Sequence, residues 1–212
     1  MKKYLWLLLF AIGSFLLVAA GRSQPIRLFD GKSFNGWEGN LNTFRIEDGA
    51  IVGGTLQASV PRNEFLCTTK EYNDFVLRVK FKLLGDPQGA NAGIQFRTQR
   101  IPNHHEVIGY QADIGQNYWG SLYDESRRKK ILAGPKPEEL TRLFKPNDWN
   151  EYLIRADGRR IQLELNGRQT VNYLEPDETI KQSGCICLQI HGGPPSEAWY
   201  KDINLETLPA KH

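Results

Sequence analysis

Apolar and polar residues alternate with a period of two along most of this chain. The clearest case is 73–84 (NDFVLRVKFKLL), where Phe75, Leu77, Val79, Phe81 and Leu83 alternate with Val76, Arg78, Lys80, Lys82 and Leu84. Successive side chains on a strand point to opposite faces, so this pattern predicts a strand with one mainly apolar face. The same rhythm predicts strands near 93–98, 107–114, 149–156, 160–165, 169–173, 184–191 and 198–208, with short ones at 64–69 and 119–123. Residues 44–46 and 50–52 flank Glu47-Asp48-Gly49 as a hairpin, and Asn166-Gly167 is the strongest two-residue hairpin signal in the chain. Residues 26–37 are turn-rich. A single segment, 137–144 (PEELTRLF), reads as helix, with Pro at its start and Glu138 and Glu139 in its first turn. About eleven strands, short connections and almost no helix predict an all-β protein, an antiparallel β-sandwich or jelly roll, with a closed barrel as the alternative. No repeat or linker divides residues 21–212, and a chain of 212 residues buries one sizeable core.

The alternation carries polar groups where a purely structural strand would carry Val or Ile. Gln95 and Arg97 share one face of the 93–98 strand, Gln111 and Asp113 one face of the 107–114 strand, and Gln189 and His191 one face of the 184–191 strand. If these strands are neighbours, six polar groups converge on one surface. Gln, Asp and Arg make the forked hydrogen bonds that vicinal sugar hydroxyls require. Trp119, Tyr110, Tyr118, Tyr123 or Trp199 offers a flat face for a sugar ring. The plainer reading is the solvated outer face of an antiparallel sheet. His191 ends its strand before Gly192-Gly193-Pro194-Pro195 and is the candidate for acid–base work near neutrality. His104, His105 and Glu106 are the metal candidates. Adjacent side chains on an extended segment point apart, so one histidine with Glu106, or with Asp113 and His191, is the divalent-metal set the sequence allows. Arg127 stands in a basic run, 127–130, beside Asp124 and Glu125. Such runs are mostly solvated loops, but an anchored Arg there polarises a carbonyl oxygen.

Charge narrows the partners. There are 27 Lys+Arg against 24 Asp+Glu, a balance too close to neutral for a nucleic-acid partner. Lys2 and Lys3, the apolar stretch 5–18 and Val18-Ala19-Ala20 read as a cleaved signal peptide over 1–20, which predicts export to a periplasm or outside a cell. The apolar run is short for a membrane span, so no stable span is expected after cleavage. Cys67, Cys185 and Cys187 contain no CxxC pair. They read as small buried side chains, or as a Cys67 bridge to one of the other two that leaves an odd thiol. No nucleophile elbow, P-loop or dinucleotide fingerprint occurs, nor the ExDxxE strand pattern of a retaining sandwich glucanase, which counts against ordinary double-carboxylate glycoside hydrolysis.

Six segments, in order, resemble the 3-keto-disaccharide hydrolase family: LFDGKSFNGW, EFLCTTKEYNDFVLRVKFKL, NAGIQFRTQ, GYQADIGQNYWGSLYDESRR, DWNEYLIRADGRRIQLELNG and CICLQIHGGPPSEAWYKDINLETL. The resemblance implies a concanavalin A-like lectin/glucanase sandwich. It also implies cleavage of the glycosidic bond of a sugar already oxidised to a ketone at C3, a 3-keto-glycoside. That ketone acidifies the C2 proton, so a base, a donor at the enolate oxygen and an acid for the leaving group suffice. On this basis Asp113 or His191 is expected as base or acid and Arg97 as enolate stabiliser. Gln95, Gln111, Gln189, Trp119, Tyr123 and Arg127 are expected to hold the sugar; no cofactor is certain, and a divalent metal is the candidate. Many relatives carry Glu-x-Gln where this chain has Gln111-Ala112-Asp113, which moves the acidic group by two positions. A non-catalytic, lectin-like carbohydrate-binding module is the alternative, since this fold does not fix function.

Overall fold

A computed structural model describes residues 24–209; the predicted leader lies outside them. Among the described residues the alternation becomes fifteen strands: β1 (Ile26–Arg27), β2 (Trp37–Glu38), β3 (Phe44–Glu47), β4 (Ala50–Thr55), β5 (Glu64–Thr68), β6 (Phe75–Gly85), β7 (Asn91–Arg100), β8 (Val107–Gly115), β9 (Leu122–Glu125), β10 (Lys130–Ala133), β11 (Asn150–Asp157), β12 (Arg160–Leu165), β13 (Arg168–Leu174), β14 (Cys185–Ile190) and β15 (Ser196–Thr207). The strands beyond expectation are short: β1 and β2 lie in the turn-rich segment, and β10 begins at the end of the basic run. The expected helix is a single 3-10 element over Pro137–Arg142. No helix among the described residues is long and apolar enough to cross a membrane.

The strands form two antiparallel sheets. One runs β13-β12-β11-β6-β15-β4-β3, with β1 paired to β15; the other runs β10-β9-β8-β7-β14-β5-β2. Between them lies one core. Phe75, Leu77, Val79 and Phe81 of β6, with Tyr152 and Ile154 of β11 and Tyr200 of β15, meet Ile94 and Phe96 of β7, Tyr110 and Ala112 of β8 and Leu188 of β14. Each large side chain buried this way contributes about 1.5–3 kcal/mol.

Two tyrosines tie the sheets together by more than packing. The Tyr152 hydroxyl donates to the main-chain carbonyl of Asp113 and accepts the Gly120 N–H at 2.7 Å. The Tyr200 hydroxyl donates to the carbonyl of Gln189 at 2.6 Å and lies 3.2 Å from that of Gly93. The strands above them, β7, β8 and β14, are buried on both faces over much of their length.

Part of that outer burial comes from the turn between β7 and β8, which folds across the sheet. The Arg100 guanidinium donates to the Glu38 carbonyl and pairs with its carboxylate at 2.9 Å. Asn63 Nδ2 donates to Glu106 Oε1 at 3.1 Å, and Val107 packs with Phe65, Cys67 and Cys187. Cys67 and Cys187 are directly opposed on β5 and β14 and form a disulfide; Cys185 keeps its thiol. The bridge spans 120 residues of sequence. Replacing Cys67 and Cys187 together by Ala is expected to lower stability by about 2–4 kcal/mol in urea unfolding of the oxidised protein. An unchanged midpoint would show that the bridge does not constrain the chain.

Candidate active site

The three strands carrying the predicted polar face are neighbours, in the order β8-β7-β14. Their register sets the outer-face groups in two rows. Gln111 lies opposite Gln95, which lies opposite Cys187; Asp113 lies opposite Gly93, which lies opposite Gln189. On the next strand Tyr123 stands opposite Gln111 and Glu125 opposite Gly109. The period-two rule thus delivers each of these side chains to one face.

Gly93 shapes the centre. A Cβ at this position would meet Gln111 Cδ at 2.4 Å, so the Gln111 amide lies across the space that a side chain would fill. Gln95 Nε2 donates to Gln111 Oε1. Gln95 Oε1 and both amide atoms of Gln189 have no hydrogen-bond partner, although both side chains are fully buried. A buried amide left unpaired costs about 1–3 kcal/mol, and such groups in a native fold call for an explanation. Both amides are sealed from solvent and, contrary to expectation, do not reach the cavity, whose floor on this face is formed by Gln111 and Asp113.

Above this floor opens a cavity of about 400 Å³ lined by Asn63, Asn91, Gln111, Asp113, Gln116, Tyr118, Tyr123, Glu125 and His191. Asp113 is only 4% exposed. Burial pushes its carboxyl up to about 7, against the Ile114 N–H at 3.0 Å and Asn91 Nδ2 at 3.5 Å, which favour the charged form. Glu125 is pushed up to about 6, first by burial and then by the nearby Glu106 charge. His191 stands exposed at the rim, its Nδ1 2.6 Å from the Gly192 carbonyl and its backbone N–H on the Asn91 carbonyl at 3.1 Å. No Lys or Arg lines the cavity. Acids and amides without a cation suit a neutral polyhydroxylated ligand better than an anionic one.

The model of the 3-keto-alpha-glucoside-1,2-lyase-like domain matches residues 24–206. The chain belongs to this family. The lyase-like family is carbohydrate-active, and solved structures share its fold. A glycosyl hydrolase candidate from Parabacteroides distasonis superposes with a TM-score of 0.65 at 20% identity, over 88% of this chain and 100% of that one. The carbohydrate-binding module CBM66 from Bacillus subtilis gives 0.63 at 16% identity, over 81% and 96% of the two chains. Bacillus licheniformis β-glucanase gives 0.58 at 13% identity, over 90% and 100%. These likenesses show the concanavalin-like sandwich. No curated protein matches the chain.

Within this lyase-like domain several expected site residues stand elsewhere. Arg97 is not on the polar face. A bulge between Phe96 and Gln99, with Arg97 at φ 50°, breaks the alternation and turns the side chain away. It is buried on Asp74 Oδ1 at 2.8 Å, the Gly158 carbonyl at 2.6 Å and the Asn73 carbonyl at 3.1 Å. Trp119 is a core residue, stacked on Phe144 at 4.1 Å and near Phe81 at 6.1 Å. Tyr110 points inward to Glu175 Oε2 at 2.7 Å, and Trp199 lies on the other sheet beneath Lys82. Arg127 pairs with the buried Asp124 at 2.7 Å and covers the Tyr110 ring, so it polarises nothing in the cavity.

The metal candidates do not assemble either. The rings of His104 and His105 stack at 4.5 Å, His104 Nδ1 accepts the Glu106 N–H at 3.0 Å, and Asn63 takes one oxygen of Glu106. Among the described residues no group of three or more His, Cys, Asp or Glu is placed to hold a metal ion. The donor set does not fit a divalent ion, and no step below is routed through one. Conversely, Asn63, Asn91, Gln116 and Glu125 line the cavity without having been expected. Glu125 could have been found by extending the alternation from Tyr123 by two positions; Asn63 reaches the cavity from a loop and leaves no such signal.

The buried Asp113 carboxyl makes a signed prediction. Below about pH 4 it is protonated in both folded and unfolded chains. As pH rises toward 7 the unfolded chain loses the proton first, from 3.8, so stability falls across that window. Asp113→Asn is therefore expected to stabilise the protein at pH 8 by on the order of a few kcal/mol and not at pH 4, as read by urea unfolding. Equal gains at both pH values would mean that the carboxyl is not strained by burial.

Proposed function

We propose that this protein is an exported enzyme that cleaves the glycosidic bond of 3-keto-glycosides, with Asp113 as the base that removes the C2 proton. The observation that carries this reading is Asp113 itself: a carboxyl nearly sealed from water, opening into the cavity, with its proton affinity raised to near neutrality. A binding module has no need of such a group, whereas a general base works best with a pKa near the working pH. Family membership supports the substrate class. The predicted leader and the Cys67–Cys187 bridge support export, since disulfides persist in oxidising compartments.

In this mechanism the sugar ring lies in the cavity over Gln111, beside Asp113. The Asp113 carboxylate takes the proton from C2, and the electron pair moves to the C3 oxygen as an enolate. With Arg97 held elsewhere, the donors for that oxygen are amide N–H groups of Gln111 and Asn91, which line the cavity. A single well-placed donor at a developing oxyanion is worth about 2.7–4 kcal/mol. Expulsion of the C1 oxygen and addition of water complete the cleavage. Tyr118, 39% exposed, and Tyr123 flank the ring. His191 stands where it meets the sugar at the mouth.

Purified protein incubated with a 3-keto-disaccharide and with its unoxidised parent is expected to release sugar from the first alone. Asp113→Asn is expected to lower that turnover by roughly 10²–10⁴-fold while the protein stays folded. Binding to either sugar without release from the keto compound would make the protein a lectin-like module. Full turnover by the variant would remove Asp113 from the chemistry.

A further inference from the structure

The elimination just described leaves one job without a named residue, protonation of the departing glycosidic oxygen. We propose that Glu125, backed by Glu106, is the acid that delivers this proton; the assignment rests on the preceding reading and deepens it. Glu125 projects from the same face of β9 as Tyr123, and it lines the same cavity as Asp113. Its register partner is Gly109, four positions before Asp113 on the adjacent strand. That offset places the Cα atoms of Asp113 and Glu125 about 14 Å apart on neighbouring strands, with both side chains on the cavity face. The two acids therefore face each other across Gln111 and Tyr123 rather than sharing one spot.

The chemistry needs a base at the C2 hydrogen and an acid at the C1 oxygen, two adjacent centres of one ring. Asp113 and Glu125 are the two carboxyls that line the cavity, so the second is the group available to the leaving oxygen when the first meets C2. Glu106 supplies the second observation. It comes from the turn that crosses the sheet, its Oε1 is held by Asn63 Nδ2 at 3.1 Å and lies 3.4 Å from His105 Nε2, and its Oε2 is buried without a hydrogen-bond partner. A carboxylate fixed there opposes the charging of Glu125 and raises its proton affinity toward that of Asp113, so that a fraction of the protein holds the proton on Glu125 with Asp113 charged. The groups facing Glu125 are Glu106, the Ser126 N–H at 3.2 Å, Lys129 on the following turn, and Tyr123 and Asp113 across the cavity. Lys129 is exposed and favours the charged form; burial and Glu106 prevail.

The step balances. Asp113 takes the C2 proton, the electron pair released at C2 forms the C1–C2 double bond, and the C1–O bond breaks. Its electrons stay on the departing oxygen, which takes the Glu125 proton and leaves as an alcohol. Water then adds its oxygen to C1 and its proton to Glu125, while Asp113 returns a proton to C2. Both carboxyls end as they began, with no other reagent consumed.

An acid for the leaving group matters only when that group leaves poorly. The test compares methyl and 4-nitrophenyl 3-keto-glucosides with wild-type protein, Glu125→Gln and Asp113→Asn. The expected result is a loss of roughly 10²-fold or more in kcat/KM for Glu125→Gln on the methyl glycoside, with turnover of the nitrophenyl glycoside changed by less than about 5-fold. Asp113→Asn is expected to lose both. Equal losses on both substrates with Glu125→Gln would make Glu125 a binding or structural group, and no loss on either would remove it altogether. If wild-type protein cleaves neither compound, the 3-keto-glycoside reading itself fails, and this assignment with it.

Discussion

Tyr152 and Tyr200 reach across the core from one sheet to the main-chain carbonyls of Asp113 and Gln189 on the other, and the cavity stands on those two hydrogen bonds. The two residues belong to the row that has Gly93 at its middle. Each tyrosine is fully buried and packed among apolar side chains, so a hydroxyl without its carbonyl would be left unpaired at a cost of about 1–3 kcal/mol. The pairing is therefore strongly favoured, and it fixes the height and tilt of the strands whose opposite faces carry the polar groups. Core packing and site geometry are in this sense one constraint. The backbone of Asp113 is packed on aromatics beneath, and its side chain lines the cavity above.

The second determinant is where the cations are. Arg97, Arg127 and Arg128 are all consumed by buried or half-buried partners: Arg97 by Asp74, Arg127 by Asp124, and Arg128 by Asp124 and Glu175. None remains to pair with Asp113. Its carboxyl is left with one main-chain N–H, the side-chain amides of Asn91 and Gln111 and the like charge of Glu125, and burial outweighs them to raise its proton affinity. A cavity that withholds a cation from its acid retains a base poised near neutrality. It forgoes a strong electrostatic sink for the enolate and must rely on amide donors.

Much of this was legible in the sequence because a strand converts spacing directly into facing. Gln95, Gln111, Asp113 and Gln189 follow the period of two, and the structure puts them on one face of the sheet, with Gln111 and Asp113 lining the cavity and Gln95 and Gln189 sealed from it. Arg97 follows the same period on paper, but a one-residue bulge after Phe96 cancels it, and nothing in NAGIQFRTQR marks where a strand will bulge. Trp119 was misplaced for a different reason. A tryptophan beside a polar strand reads equally as a sugar platform or as core, and only the Phe144 and Phe81 rings decide between them. Arg127 was absorbed by Asp124, three residues away, a local pairing that a basic run conceals. The contribution of Asn63 depends on a loop packing against distant strands, which no local pattern encodes.

The central claim is that cleavage begins at C2, and an isotope at that position tests it most directly. A 3-keto-disaccharide carrying deuterium at C2 of the oxidised ring is incubated with the protein in ordinary water beside its unlabelled form, and the rate of cleavage and the mass of the released sugar are compared. Removal of the C2 proton by Asp113 predicts slower cleavage of the deuterated compound, with label lost to solvent in proportion to exchange at the Asp113 carboxyl. Equal rates for the two compounds together with full retention of the deuterium would mean displacement at C1 without an enolate, and would contradict the role given to Asp113.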